Sequence, residues 1–355
     1  MTPSTRTQRT REAHPGARTA VAPGRLPGAT TGPEPAAGMP SHALVFGPVR
    51  SRRLGWSLGV NNVPSKACTY ACVYCQVGPT DRACLDRDTF FDPATIVAAV
   101  RERVAQCRDE CQPIDYATFV PEGEPTLDRR LGEAIAGIAA LGIRVAVLTN
   151  GSLLWRDDVR ADLAAADWVS VKVDTVDEAT WHRLNRPIGS LPFAAVLDGV
   201  RRFAEARGGR VVTETMLVAG LNDDEPALRR TAGFVADLGP VHAYISVPTR
   251  PPAESWVDPP TAEAIGRALG AFLARGIPAS CLVDEIDERE PPIALQGDVT
   301  QELLAVLAVH PMTEAAAGAS IRRAGADWSL VEALLDQGRI VRVRHRGRVY
   351  LRPGR

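Results

Sequence analysis

Three cysteines define the chemistry to be explained. Cys68-Thr69-Tyr70-Ala71-Cys72-Val73-Tyr74-Cys75 is a C-x3-C-x2-C run, too crowded for its thiols to pair with one another but able to wrap a single metal centre. Two kinds of centre fit. An iron–sulfur cubane held by three Cys thiolates keeps one iron open to an exogenous ligand. Zinc prefers four ligands in a closed tetrahedron, and Cys84 could complete an all-cysteine shell. The chain holds seven cysteines among 355 residues. An odd count with three crowded together argues against a secreted disulfide framework and for a reducing, cytoplasmic compartment. Cys107 and Cys111 extend a helical stripe of Val97, Val100 and Val104 and read as core, because buried Cys behaves as a small hydrophobe. Cys281, in a short apolar run, reads the same way.

Further polar groups gather at the ends of apolar runs. Val120-Pro121-Glu122-Gly123-Glu124-Pro125-Thr126-Leu127 places a turn and a carboxylate after one candidate strand. Thr149-Asn150-Gly151 closes another. Val169-Ser170-Val171-Lys172-Val173-Asp174 alternates with period two, setting three valines on one face and Ser170, Lys172 and Asp174 on the other. Inside a barrel the polar trio would face the lumen, where unpaired polar groups are costly; a structural Lys172–Asp174 pair is the plainer alternative. A later run alternates His242, Tyr244 and Ser246 against apolar neighbours.

The elements that must position these groups follow from periodicity. Strands are predicted at Leu58–Val63, Asp115–Val120, Arg144–Thr149, Trp168–Asp174, Val211–Val218 and Val241–Val247. Helices are predicted near 93–108, 127–140, 156–166, 193–206, 224–238 and 261–275. Six strand-then-helix units predict an α/β fold with a parallel sheet and right-handed crossovers, a partial (β/α)6 barrel. No G-x-G-x-x-G follows the first strand, which weighs against a dinucleotide-binding sheet. Barrel sites lie at the carboxyl ends of strands, where every motif above falls.

Composition bounds the rest. With 41 basic and 42 acidic side chains and 45% hydrophobic residues, the chain is neither globally disordered nor uniformly basic. No run is apolar and long enough to span a membrane. Residues 1–40 lack periodicity and read as a disordered tail, with Met39 a second candidate start. A barrel domain is expected over 41–292 and a small module over 293–355. The module has helices near 299–309, 313–323 and 328–336, then a hairpin turning at His345-Arg346-Gly347, a pattern like a winged helix-turn-helix. From Ile321 onward it carries nine arginines against three carboxylates, a net of +6. The acids lie in the would-be recognition helix and most of the arginines on the hairpin. The hairpin either grips a nucleic-acid backbone or is a solvated edge.

These motifs together resemble the radical S-adenosylmethionine (SAM) superfamily. Tyr74 fills the aromatic position of its C-x3-C-x-aromatic-C signature, and Gly123-Glu124-Pro125 resembles its G-G-E-P segment, departing at Glu122 where the first glycine is usual. The likeness runs from about Phe46 to Pro252. Ser51-Arg52-Arg53-Leu54-Gly55 and Leu148-Thr149-Asn150-Gly151-Ser152 resemble a prokaryotic subgroup related to wybutosine-synthesis-type enzymes. The resemblance implies that Cys68, Cys72 and Cys75 hold a [4Fe-4S] cluster whose open iron chelates SAM. It implies cofactor contacts at Tyr74, Gly123, Glu124, Pro125, Asn150, Ser170, Lys172 and Asp174. It also implies reductive cleavage of SAM to a 5′-deoxyadenosyl radical that abstracts hydrogen from a substrate, with an electron donor such as flavodoxin or ferredoxin. A tRNA base would suit the basic hairpin. The competing reading is a metal- or cluster-sensing regulator that binds nucleic acid, for which six strand–helix units are more scaffold than a sensor needs.

Overall fold

A computed structural model describes residues 44–282, 292–295 and 297–354. The expected disordered tail lies outside them. The described residues fall in a single compact unit.

An open eight-stranded sheet forms the frame. Its order is β1 (Val45–Ser51), β2 (Gly55–Val60), β5 (Tyr116–Phe119), β6 (Arg144–Thr149), β7 (Trp168–Lys172), β8 (Val212–Met216), β9 (His242–Ser246) and β10 (Ala279–Leu282). β1 runs antiparallel to β2, and every other neighbouring pair is parallel. The six expected strands are present, the first beginning three residues earlier than expected. Two edges were unforeseen. β1 precedes the first predicted strand, and β10 contains Cys281, which packs partly buried against the core.

The covering helices are α1 (Pro93–Asp109), α2 (Leu131–Ala139), α3 (Asp157–Leu163), α4 (Glu178–Leu184), α5 (Phe193–Ala206), α6 (Glu225–Leu238) and α7 (Ala262–Leu273). Side-chain caps fix several starts. Asp92, Asp177, Asp224 and Thr261 each accept a backbone N–H from the first turn, a contact that contributes about 1 kcal/mol. Two short strands, β3 (Ala67–Cys68) and β4 (Arg82–Ala83), pair beside the barrel mouth. One expectation fails on α1. Val100, Val104 and Cys107 are buried, but Cys111 is exposed with φ 55°. The helix ends at Asp109, so the stripe has no helix to continue on.

The C-terminal segment holds α8 (Val299–Val309), β11 (Met312–Thr313), α9 (Glu314–Arg323), α10 (Ser329–Asp336), β12 (Ile340–His345) and β13 (Arg348–Pro353). β11 joins the hairpin in a three-stranded sheet of order β11-β13-β12. Arg346 and Gly347 both take positive φ, the conformation of the two-residue turn that matches strand twist. This segment shares its apolar core with the barrel edge: Phe46 of β1 packs with Leu303, Val306, Met312 and Leu351. A buried ion pair joins Arg103 of α1 to Glu302 of α8. The Gln76 amide donates to the Val309 carbonyl (2.8 Å), so the segment also touches the cysteine loop. Among the described residues, no helix is long and apolar enough to cross a membrane.

Candidate functional site

The cysteine loop lies above the carboxyl ends of the strands, between two apolar anchors. Tyr70 packs with Trp181, Leu191, Phe193 and Val196, its hydroxyl accepting from Trp181 Nε1 (3.1 Å). Val73 and Tyr74 pack with Leu184, Val218, Leu221 and Val257. The backbone is tied to the end of α4: Val73 N–H donates to the Leu184 carbonyl and Ala71 N–H to that of Asn185. Aromatic burial of this kind fixes a loop that has little secondary structure of its own.

Cys68, Cys72 and Cys75 are free thiols, each facing hydrogen-bond donors. Cys68 takes the Tyr70 backbone N–H and the Asn150 amide (Nδ2 to Sγ 3.6 Å). Cys72 takes the Asn185 amide (3.5 Å). Cys75 faces the backbone N–H groups of Val77 and Gly78, the latter donating to the Cys75 carbonyl (3.1 Å). Burial pushes all three thiols up, Cys72 to about 12, with Asp174 and Cys75 adding to it. Among the described residues, no three His, Cys, Asp or Glu side chains converge as a single-ion site. Cys84 lies outside the loop, half-buried, with its backbone N–H donating to the Cys68 carbonyl (3.2 Å).

The Gly123-Glu124-Pro125 turn braces this loop. A Cβ on Gly123 would sit 1.8 Å from the Ala67 carbonyl oxygen, so only glycine permits the approach that lets Glu124 N–H donate to that carbonyl (2.9 Å). Pro125 opens a single 3-10 turn, its carbonyl accepting from Asn62 (3.0 Å). The Glu124 carboxylate is 1% exposed and engaged within the chain. Oε1 accepts from Thr126 N (3.1 Å), Thr126 Oγ1 (2.6 Å) and Thr149 Oγ1 (2.6 Å), and Oε2 from Asn150 N (2.8 Å). Burial raises its pKa, and these donors oppose the rise. Asn150 in turn donates to Thr69 Oγ1 (2.8 Å). The chain itself thus uses the groups that the resemblance aims at a cofactor.

The β7 trio separates into different roles. Ser170 is buried within the strand. Asp174 accepts at Oδ2 from the Tyr74 hydroxyl and from Asn185 (2.8 Å), and at Oδ1 from Met216 N (2.8 Å). The expected Lys172–Asp174 pair is present (4.0 Å), but Glu214 is the nearer partner (3.3 Å). Its Nζ also lies 4.9 Å from the Tyr74 ring centroid, within cation–π range. Burial works against the ammonium, but Glu214 and Asp174 outweigh it and hold its pKa above the usual lysine range. Burial would likewise raise Glu214, yet Arg53, Lys172 and the Ser246 hydroxyl hold it well below the carboxylate range. Lys172 thus sits between two carboxylates that favour its charged form. Its side chain remains 26% exposed and lines a cleft with Tyr70, Asn150, Asp174, Trp181 and Asn185.

Arg53, Glu214 and Asn185 carry much of this geometry without having been assigned a role from sequence. The Lys172–Glu214 contact follows from parallel register, which sets those two residues side by side. Asn185 ends α4, a helix that its cap announces: Asp177 accepts from Thr180 N (2.8 Å).

The Radical SAM superfamily model matches residues 62–232, from just before the cysteine loop into α6. A UPF0026 protein of Methanocaldococcus jannaschii is 36% identical over 308 residues, 86% of this chain and 95% of its own length. A UPF0026 protein of Synechocystis sp. is 34% identical over 209 residues, 58% of this chain and 76% of the relative. Among solved structures, a radical SAM methyltransferase from Sphaerobacter thermophilus is similar at 20% identity and a TM-score of 0.46, over 63% of this chain and 66% of that one. Members of this superfamily use a [4Fe-4S] cluster and SAM. The donor set here fits that cluster: three unpaired thiols on one anchored loop, each met by the N–H groups that thiolate ligands of a cluster receive. By the extent and identity of these matches, the chain belongs to the UPF0026 family and carries a radical SAM domain.

Proposed function

We propose that this protein is a radical SAM enzyme in which Cys68, Cys72 and Cys75 bind three irons of a [4Fe-4S] cluster and leave the fourth to SAM. When reduced, the cluster supplies the electron that cleaves SAM to methionine and a 5′-deoxyadenosyl radical, which takes a hydrogen atom from the substrate. The observation that carries this reading is the set of three free thiols held by Tyr70 and Tyr74 at the carboxyl ends of the strands, each facing N–H donors. Glu124 and Asn150 fix the loop's position, and Gly123 and Pro125 shape the turn beneath it. Of the β7 trio, Lys172 is the part-exposed group that would meet the cofactor's carboxylate or ribose from the cleft, with Ser170 and Asp174 buried behind it. Tyr74 and its apolar neighbours exclude water from one side.

The order α8-β11-α9-α10-β12-β13 supports a winged-helix reading of the C-terminal segment. Arg344 and Arg346 are exposed on the hairpin, whereas α10 carries Glu332 and Asp336 and no basic residue, so an RNA substrate would be gripped by the wing rather than read by the helix. The electron would come from a flavodoxin- or ferredoxin-type donor.

The test is anaerobic reconstitution with iron and sulfide, followed by dithionite and SAM. 5′-Deoxyadenosine is expected only in the complete mixture, and the same preparation should retain RNA more weakly as salt rises. Cluster-loaded, reduced protein that leaves SAM intact would contradict the enzymatic reading.

A further inference from the structure

The three sulfurs are not held alike. Cys68 and Cys75 face backbone N–H groups of their own loop, Cys68 with the Asn150 amide in addition, while the donor at Cys72 is the Asn185 side-chain amide from beyond the loop. Asn185 is 3% exposed. Its Nδ2 carries two protons and lies within reach of three acceptors: Asp174 Oδ2 at 2.8 Å, Tyr74 Oη at 3.2 Å and Cys72 Sγ at 3.5 Å. The carboxylate claims one N–H at the shortest distance. Tyr74 donates its own hydroxyl to the same carboxylate oxygen. The second amide N–H therefore lies between the tyrosine oxygen and the sulfur.

The orientation of the amide is determined rather than arbitrary, because the atom facing Asp174 must be a donor. Asp174 is itself held by Met216 N (2.8 Å) and, through its backbone carbonyl, by Asn222 Nδ2 (2.9 Å). The Asn185 backbone carbonyl also accepts the Ala71 N–H, one residue before Cys72. Both ends of the contact are thus fixed by bonds other than the contact itself. In a buried site, such a hydrogen bond is stronger than its counterpart in water.

The geometry points to Asn185 as the side chain that draws electron density from the Cys72 sulfur and so raises the reduction potential of the cluster that this ligand would hold. The inference rests on the cluster assignment above. An N–H aimed at a ligand sulfur stabilises the more negative, reduced state over the oxidised one, and hydrogen bonding to the sulfurs is a principal control on cluster potential. Asn185 acts through Cys72 and is a positioning residue.

The test compares full-length wild type with Asn185→Leu, Asn185→Ala and Asn185→Gln after anaerobic reconstitution. Iron and sulfide are counted first, and the reduced signal is then titrated against potential by electron paramagnetic resonance. Leu and Ala, which remove the N–H, are expected to lower the reduced-to-oxidised ratio at a fixed potential about tenfold, a negative shift of about 59 mV for a one-electron couple. Gln, which keeps the donor, should recover most of the shift. Wild-type potentials in both Leu and Ala would overturn the inference. So would an equal shift in all three, which would make packing the cause, or failure of all three to take up a cluster, which would make the role one of assembly. A wild-type chain that takes up no iron and sulfide would remove the reading beneath the inference, and the inference with it.

Discussion

Cys72→Ala is expected to lose the cluster's visible absorbance and its 5′-deoxyadenosine product together, down to the no-protein background, while Cys84→Ser keeps both. The asymmetry follows from position. Cys72 lies in the anchored loop between Tyr70 and Tyr74, with Asn185 aimed at its sulfur. Cys84 is half-buried against the core, and its backbone N–H donates to the Cys68 carbonyl (3.2 Å), a bond that serine preserves. With only two thiolates remaining, the cubane would lack one of the three ligands the loop supplies. A zinc shell closed by Cys84 predicts loss of metal in both variants. Iron, sulfide and zinc analysis of the two proteins, with product measured by chromatography, separates the alternatives.

Glu124→Ala is expected to destabilise even the metal-free protein by about 3–5 kcal/mol, read from urea unfolding. The carboxylate accepts four donors at a site 1% exposed. Leaving one such donor unsatisfied costs about 1–3 kcal/mol, and the four are coupled, so the total falls short of their sum. Glu124→Gln is the sharper variant. Its oxygen can still serve Thr126 and Thr149, but its NH2 group would oppose Asn150 N–H, for a cost of about 1–3 kcal/mol. Because Asn150 also reaches Thr69 and Cys68, both variants should lower cluster retention along with stability. Glu124→Gln with unchanged stability would show that the carboxylate's place is with the cofactor alone.

The cysteine spacing, the strand ends and the alternation along β7 were legible because each is local: a repeat of two, a repeat of three or four, or a turn residue. What was not legible depends on partners distant in sequence. Glu214 becomes the partner of Lys172 only once β7 and β8 adopt their register. Arg53 reaches Glu214 across 161 positions of sequence. Asn185 sits at the end of a seven-residue helix, too short for its Trp181 and Leu184 to establish a period. Cys111 misled for the opposite reason: its spacing was right, but α1 had already ended and a left-handed residue turned the chain outward. Glu124 was singled out with its turn, but its donors are Thr126 and, from 25 and 26 positions away, Thr149 and Asn150, which a motif cannot reveal.

The central claim is that three thiolates hold a four-iron cluster and leave one iron for the cofactor. Mössbauer spectroscopy of protein reconstituted with isotope-enriched iron, recorded before and after SAM is added, tests it most directly. The account predicts that one iron in four changes its signature when SAM binds while the other three stay as they were. Four irons unaffected by SAM, or a single tetrahedral zinc in place of iron, would contradict it.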